Sequence, residues 1–232
     1  MNSAHTHNKQ PTIAMRSPNC CAQIFEIHLK DRGRIAVPIG VAATISTVGR
    51  VDQFGSIPND NPFFNEKSEI KKAIFSFGHR NPQGMIIHPE SDEIWLHEHG
   101  PKGGDEINIV ESGENYGWPK ITYGVNYSGT TITENTSMPG LKQPFYYWVP
   151  SIAPSGMAFS TSGIYEKWKG NLFVGSLKYR YLERLVINNK KVVEREKILE
   201  NVGRVRDVRE GPDGYLYIAV EGKGILKIVQ KK

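Results

Sequence analysis

The chain has 232 residues, 38% of them hydrophobic and 10% aromatic, which is enough for one domain with a buried core. Its formal net charge of +5 comes without a long basic run, since Lys71-Lys72 and Lys190-Lys191 are only pairs. This pattern reads as solvated surface rather than a nucleic-acid patch, and suits at most a small anionic ligand. No apolar run is long enough for a membrane span. The adjacent Cys20 and Cys21 offer neither an ordinary structural disulfide nor a zinc spacing.

Residues 1–20 (MNSAHTHNKQPTIAMRSPNC) are polar and aperiodic, so a mobile tail is expected, with His5 and His7 lacking metal partners. Residues 22–29 (AQIFEIHL) alternate enough for one strand. Residues 35–48 are apolar and follow Lys30, Arg32 and Arg34, but they start late and contain Pro38, which argues against an export signal. Residues 49–62 are rich in turn formers, residues 66–72 suit one helical turn, and residues 73–77 a short strand.

The densest stretch is residues 76–119, SFGHRNPQGMIIHPESDEIWLHEHGPKGGDEINIVESGENYGWP. It sets two polar loops, one with Arg80 and Asn81 and one from Glu98 to Asp105, around strand-like runs at Met85-Ile-Ile and Glu93-Ile-Trp-Leu-His. Polar side chains held between apolar strands are where sites are usually built. Residues 120–143 are a long polar excursion. Residues 144–150 (PFYYWVP) are aromatic and fit sugar stacking and core packing equally well.

A strand, a turn and a more apolar strand occur three times, at Met85/Glu93, Gly156/Gly170 and Arg206/Tyr215. Outer strands follow at residues 106–110, 182–187 and 225–229. Trp95 and Phe173 are 78 positions apart, and Phe173 and Tyr217 are 44 apart; the longer gap holds the excursion. A period in the forties with about four short strands per unit predicts an all-β propeller, with a β-sandwich as the alternative from pattern alone.

Six motifs then carry a resemblance: GHRNPQG, EHGPKGGDE, NYGWP, PSIAPSGM, GNLFVGSLK and RVRDVREGPDGYLY, collinear between Gly49 and Ile228. Together they resemble the glucose/sorbosone dehydrogenase family. The resemblance implies a six-bladed quinoprotein propeller that uses pyrroloquinoline quinone (PQQ) and calcium (Ca2+) to oxidise the C1 hydroxyl of an aldose sugar. It also implies a separate electron acceptor and export to the periplasm, although a chain expressed as written is expected in the cytoplasm. Residues 49–232 hold roughly four blades at about 45 residues each, and six would need on the order of 270. The expectation is therefore a partial propeller over residues 49–232, with an unmatched, irregular segment at 1–48.

Such chemistry needs positive charge beside the quinone oxygen, cations for the cofactor carboxylates, a hard metal held by oxygens, and a base. By resemblance, Arg80 and Asn81 flank the reactive carbonyl. The main-chain carbonyls of Gly100 and Pro101 face calcium. His99, Ser151, Lys178, Arg204 and Arg206 contact the cofactor. Asp105 and Glu106 read first as loop braces. Taken without the resemblance, Arg204 and Arg206 are ordinary surface charges. The family's base histidine lies in a stretch resembling HFGGRLVF, and no such stretch occurs here; His28, in EIHLKDRGR, does not match it. The base role is transferred to no residue. Two readings follow: a quinone-dependent sugar oxidoreductase, or a non-catalytic propeller that binds a ligand, calcium or a partner. A lactonase-like hydrolase would want a carboxylate cluster, whereas the matched residues are rich in Arg and Lys.

Overall fold

The computed structural model describes residues 24–29, 33–38 and 46–230. Residues 1–20, expected to be mobile, lie outside the described residues. Four antiparallel sheets follow one another along the chain. The first contains β1 (Ile24–Leu29), β2 (Gly33–Pro38), β3 (Ser46–Val51) and β4 (Ile74–His79). The second contains β5 (Pro82–Ile87), β6 (Ile94–Glu98), β7 (Asp105–Val110) and β8 (Tyr146–Trp148). The third contains β9 (Pro154–Phe159), β10 (Leu172–Ser176), β11 (Leu182–Asn188) and β12 (Lys191–Ile198). The fourth contains β13 (Val205–Glu210), β14 (Leu216–Val220) and β15 (Gly224–Lys227). Within each sheet the strands run in sequence order, and the first strands β1, β5, β9 and β13 lie against one another in that succession. These are blades of a β-propeller, meeting along their inner strands.

Period-2 alternation explains how the blades pack. In β6 every residue is buried. Ile94 and Leu96 face the first blade, where they join Val48, Met85 and Val110. Trp95 faces the third blade, joining Ile107, Trp148, Met157 and Leu172. In β10, Leu172 and Val174 take that same interface, while Phe173 turns to the fourth blade and packs with Val205, Val208, Leu216 and Ile218. A middle strand buried on both faces reads as a continuous apolar run. Each such side chain contributes about 1.5–3 kcal/mol through burial.

The expected turn is the short helix α1 (Glu69–Lys72). Three findings differ from the sequence reading. Strand β1 falls where residues 22–29 suggested one strand, while β2 and the start of β3 also lie before residue 49, so the sheet extends through the segment otherwise taken as irregular. Strand β12 is additional; its alternation is hidden because six of its eight residues are exposed. Its hairpin turn, Asn189-Lys190, has positive φ at both residues (48° and 56°), the type I′ geometry that closes two-residue hairpins. The last sheet has three strands among the described residues, where four were expected.

Candidate functional site

The motif residues converge on the segment Pro150–Gly156, which leads from β8 into the start of β9. Ser151 Oγ donates to the Pro101 carbonyl (3.2 Å) and accepts from the Gly103 N–H (3.0 Å). Ala153 N–H donates to Asp105 Oδ2 (2.7 Å), and the Ala153 carbonyl accepts from Leu177 N–H (3.0 Å). The Ile152 carbonyl accepts from Lys178 N–H (3.2 Å). The Pro154 carbonyl accepts from His99 Nε2 (2.8 Å). Ser155 Oγ donates to the carbonyl of Val205, the residue between Arg204 and Arg206. One short loop therefore touches the second polar loop of the dense stretch, the turn bearing Lys178 and the start of β13. Ala153 adopts φ 54°, a conformation that turns successive backbone groups toward different partners.

The loop His99–Asp105 is itself tied closed. Asp105 is buried, and its Oδ1 accepts from Gly100 N–H (2.9 Å) while its other oxygen holds Ala153. A side chain at Gly100 would meet the Gly104 carbonyl at 2.1 Å, so only glycine fits there. Arg80 reaches across this loop: its Nη1 donates to the carbonyls of His99 (2.8 Å) and Gly100 (2.7 Å), and its guanidinium lies over Trp118 (5.2 Å). Arg80 Nε is buried with no partner. Beneath it is a polar pocket of about 10 Å³, room for about one water, lined by Arg80, Glu98, His99, Gly100 and Glu106 among others.

Glu98 is the residue that sequence reasoning missed. It is buried at the end of β6. Its Oε2 accepts the backbone N–H of Arg80 (2.6 Å) and Asn81 (3.1 Å), while Oε1 accepts from Asn108 Nδ2 (2.8 Å) and meets His79 Nδ1 (3.2 Å). A carboxylate closing an otherwise apolar run, IWLHE, was the available signal. The Asn81 side-chain oxygen accepts from Gln83 (2.9 Å), so its amide N–H2 remains to donate elsewhere.

The ionisation states follow from burial. His99 is held below the usual histidine range, chiefly by desolvation; with Nε2–H given to Pro154, its Nδ1 is an acceptor. His97 is pushed down to about 3, first by desolvation and then by His99 and Arg209. Glu106 is pushed up to about 8, first by desolvation and then by the Glu98 charge, so it is largely protonated at neutral pH. His79 is fully buried, bonded to Ser76 Oγ and Glu98, and stacked on Tyr116 (4.4 Å).

The other two matched groups are exposed. Lys178 lies over the Tyr179 ring (5.0 Å). Arg204 and Arg206 are both paired with Glu221, Arg204 Nε at 3.4 Å and Arg206 Nη2 in closer contact. Their side chains are 45% and 49% exposed, so this end is a solvated rim beside the buried network. Among the described residues no cluster of three or more His, Cys, Asp or Glu is placed to hold a metal, and no helix is long and apolar enough to cross a membrane.

Residues 29–228 match the family model described as Glucose / Sorbosone dehydrogenase. Aldose sugar dehydrogenase YliI of Escherichia coli (strain K12) is 49% identical over 175 residues, covering 74% of this chain and 47% of that protein. Quinoprotein glucose dehydrogenase B of Acinetobacter calcoaceticus is 38% identical over 99 residues, 40% of this chain and 20% of its own length. A solved structure of a glucose dehydrogenase superposes with a TM-score of 0.76 at 31% identity, covering 90% of this chain and 78% of that one. The chain thus spans less than half the length of the curated E. coli relative.

Proposed function

The chain belongs to the glucose/sorbosone dehydrogenase family, and on that premise we propose that the loop network around Arg80 binds pyrroloquinoline quinone as part of a site that oxidises an aldose at C1. The observation that carries this reading is Arg80 Nε, a buried cationic donor without a partner beside a polar pocket. A buried unsatisfied donor costs roughly 1–3 kcal/mol, and more when charged, so it favours an incoming anionic oxygen. When bound, the quinone supplies a hydride acceptor; the protein supplies position and electrostatics. Arg80 is fixed by two carbonyls before any ligand arrives, so its charge needs no reorganisation to stabilise negative charge on a nearby oxygen. The Asn81 amide would donate from the same turn. His99 and Ser151 would line the cofactor's edge, and Lys178, Arg204 and Arg206 would meet its carboxylates from the rim.

Calcium fits less completely. The Gly100 carbonyl already accepts from Arg80, and the Pro101 carbonyl from Ser151. Both are neutral, and among the described residues no group of three or more His, Cys, Asp or Glu stands ready to join them, whereas calcium takes 6–8 oxygens. The two carbonyls could face a cation with their second lone pairs only if the ligand brought most of the remaining oxygens. Metal and cofactor would then bind together.

A second reading, ligand binding without catalysis, is favoured by a specific observation: His79 and His97 are sealed in the core, and the family's base-bearing stretch is not in this sequence. General-base assistance is commonly worth about 10²–10⁴ in rate. Titrating pyrroloquinoline quinone with and without calcium, then adding glucose and a reducible dye, separates the readings. Calcium-dependent binding with little dye reduction is expected of this chain alone. Robust dye reduction would reveal a base elsewhere, and no quinone binding would leave only the non-catalytic reading.

A further inference from the structure

A groove of about 650 Å³ lies between the outer strands of the second and third blades. It runs from Trp148–Pro150 on one side to Tyr179, Tyr181 and β11–β12 on the other; Pro150 and Ile152 are shared with the segment on which the motif residues converge, whereas Arg80 is not in its lining. Its size lies within the range of small-ligand sites, about 300–1,000 Å³.

Its floor is rigid and polar. Glu183 is fully buried; its Oε2 accepts from Trp148 Nε1 (2.8 Å), and its Oε1 accepts from Arg195 Nε (2.7 Å) and pairs ionically with Nη2 (2.6 Å). A buried carboxylate is tolerated only with such partners. They fix the Arg195 guanidinium in place; it also bonds Tyr146 and lies over that ring (5.7 Å), and the N–H groups not so engaged can donate to a ligand. Lys197 lies over the Tyr181 ring (5.4 Å). The walls supply apolar surface: Tyr179 is 42% exposed, parallel to Tyr181 (3° between ring planes) and carries Lys178 over part of its ring (5.0 Å), and Val149, which also lines the groove, is 62% exposed. The lining charges balance, Arg195 and Lys197 against Glu183 and Glu200, so nothing in the groove selects an ion.

Flat apolar faces flanking fixed donors and acceptors, with no net charge, match a ligand whose rings carry C–H faces and whose edges carry hydroxyls. We propose that this groove binds a neutral oligosaccharide, with C–H faces against Tyr179 and Val149 and hydroxyls on Arg195, Lys197 and Glu200. The proposal needs no quinone and is tested without one.

Glucose, maltotriose and cellotriose are titrated into the full chain by calorimetry and by amide chemical-shift mapping. The expected result is that at least one trisaccharide binds tenfold or more tightly than glucose, with shifts at Tyr179 and Lys197. Tyr179→Ala should weaken it at least tenfold, and Lys197→Ala severalfold. Tyr127→Ala, an exposed tyrosine on the polar excursion, should change nothing. The melting curve of each variant reports folding; both groove side chains are surface-facing, so native melts are expected. No trisaccharide preference over glucose, shifts mapping elsewhere, or affinity untouched in both groove variants would each overturn the proposal. Quinone titration of the same samples is a separate readout, so failure of the groove and failure of the cofactor reading are told apart.

Discussion

Two groups of cationic residues were matched to the same cofactor, Arg80 beside its reactive carbonyl and Arg204 with Arg206 on its carboxylates, and the fold treats them in opposite ways. Arg80 is partly buried, forked onto two carbonyls and held from behind by Glu98 through its own backbone N–H. Arg204 and Arg206 are about half exposed and share one exposed partner, Glu221. In water-excluded surroundings a fixed charge acts through a low dielectric, whereas at an exposed rim it is screened and competes with solvent. Sequence places both groups on equal terms; burial makes one a built element of the structure and the other an adjustable edge.

The sharpest way to test that asymmetry is to cut the brace under the buried group. Asp105→Ala leaves the Gly100 and Ala153 N–H groups without acceptors, joining segments 48 residues apart. Each buried donor left unpaired costs about 1–3 kcal/mol, so a loss of about 2–5 kcal/mol is expected in urea unfolding, with Asp105→Asn intermediate. An effect under 1 kcal/mol would show that the loop stands without this brace. Arg80→Met comes next, at about 2–3 kcal/mol, because it strips the donor from two carbonyls. Arg80→Lys should recover only part of this, since an amine on a flexible stem lacks the planar group that lies over Trp118 and holds Nη1 between the two carbonyls. Full recovery by lysine would mean that charge alone, not geometry, matters there.

The propeller itself was readable because its evidence is local. Three strand–turn–strand copies and middle strands such as IWLHE and LFVGS declare themselves by composition. What escaped was what depends on the third dimension. Strand β12 is charged and exposed, so no apolar alternation marks it. Glu98 looked like a loop carboxylate, yet it organises Arg80, Asn81, His79 and Asn108 from 10 to 19 positions away. The PSIAPSG loop was read for its serine, whereas its backbone does most of the joining. The resemblance singled out Arg204 and Arg206, but nothing in the motif revealed that both pair with Glu221.

Titration gives a comparison of intermediate size. Because Glu106 is raised to about 8, the native chain holds its proton between the unfolded value, near 4.5, and about pH 8. Stability contributed by the neutral carboxyl is therefore present at low pH and lost as pH rises through that window. Glu106→Gln should remove the decline, worth on the order of 1–2 kcal/mol between pH 5 and 8 after allowing for its partial exposure. His97 works in the opposite sense. Held neutral to about pH 3, it stabilises the fold above about pH 6.5 and that contribution is lost as pH falls toward 3. Unfolding midpoints across pH 4–9 would separate the two limbs; a flat wild-type profile from pH 5 to 8 would contradict the buried, protonated Glu106.

The smallest expected effect on the fold belongs to the exposed rim, and it is the one that tells most about ligands. Replacing both Arg204 and Arg206 with alanine should cost under 1 kcal/mol of stability, the ordinary worth of surface ion pairs. Replacing Lys190 and Lys191 is the matching control, with Lys190 held only by Glu93 at the surface. Toward an anionic ligand the two pairs should part company. If Arg204 and Arg206 meet the carboxylates of pyrroloquinoline quinone, their loss weakens binding about tenfold or more, and loss of the two lysines changes little. Glu221 sharpens the case, because its carboxylate occupies the same guanidinium groups that a ligand carboxylate would take. Glu221→Gln removes that competitor while keeping the side chain's size, so quinone affinity should rise about three- to tenfold, with the gain shrinking as salt is added. Weaker binding in Glu221→Gln would mean instead that Glu221 aims the two arginines rather than competing for them, and the rim would then be as pre-organised as the loop around Arg80.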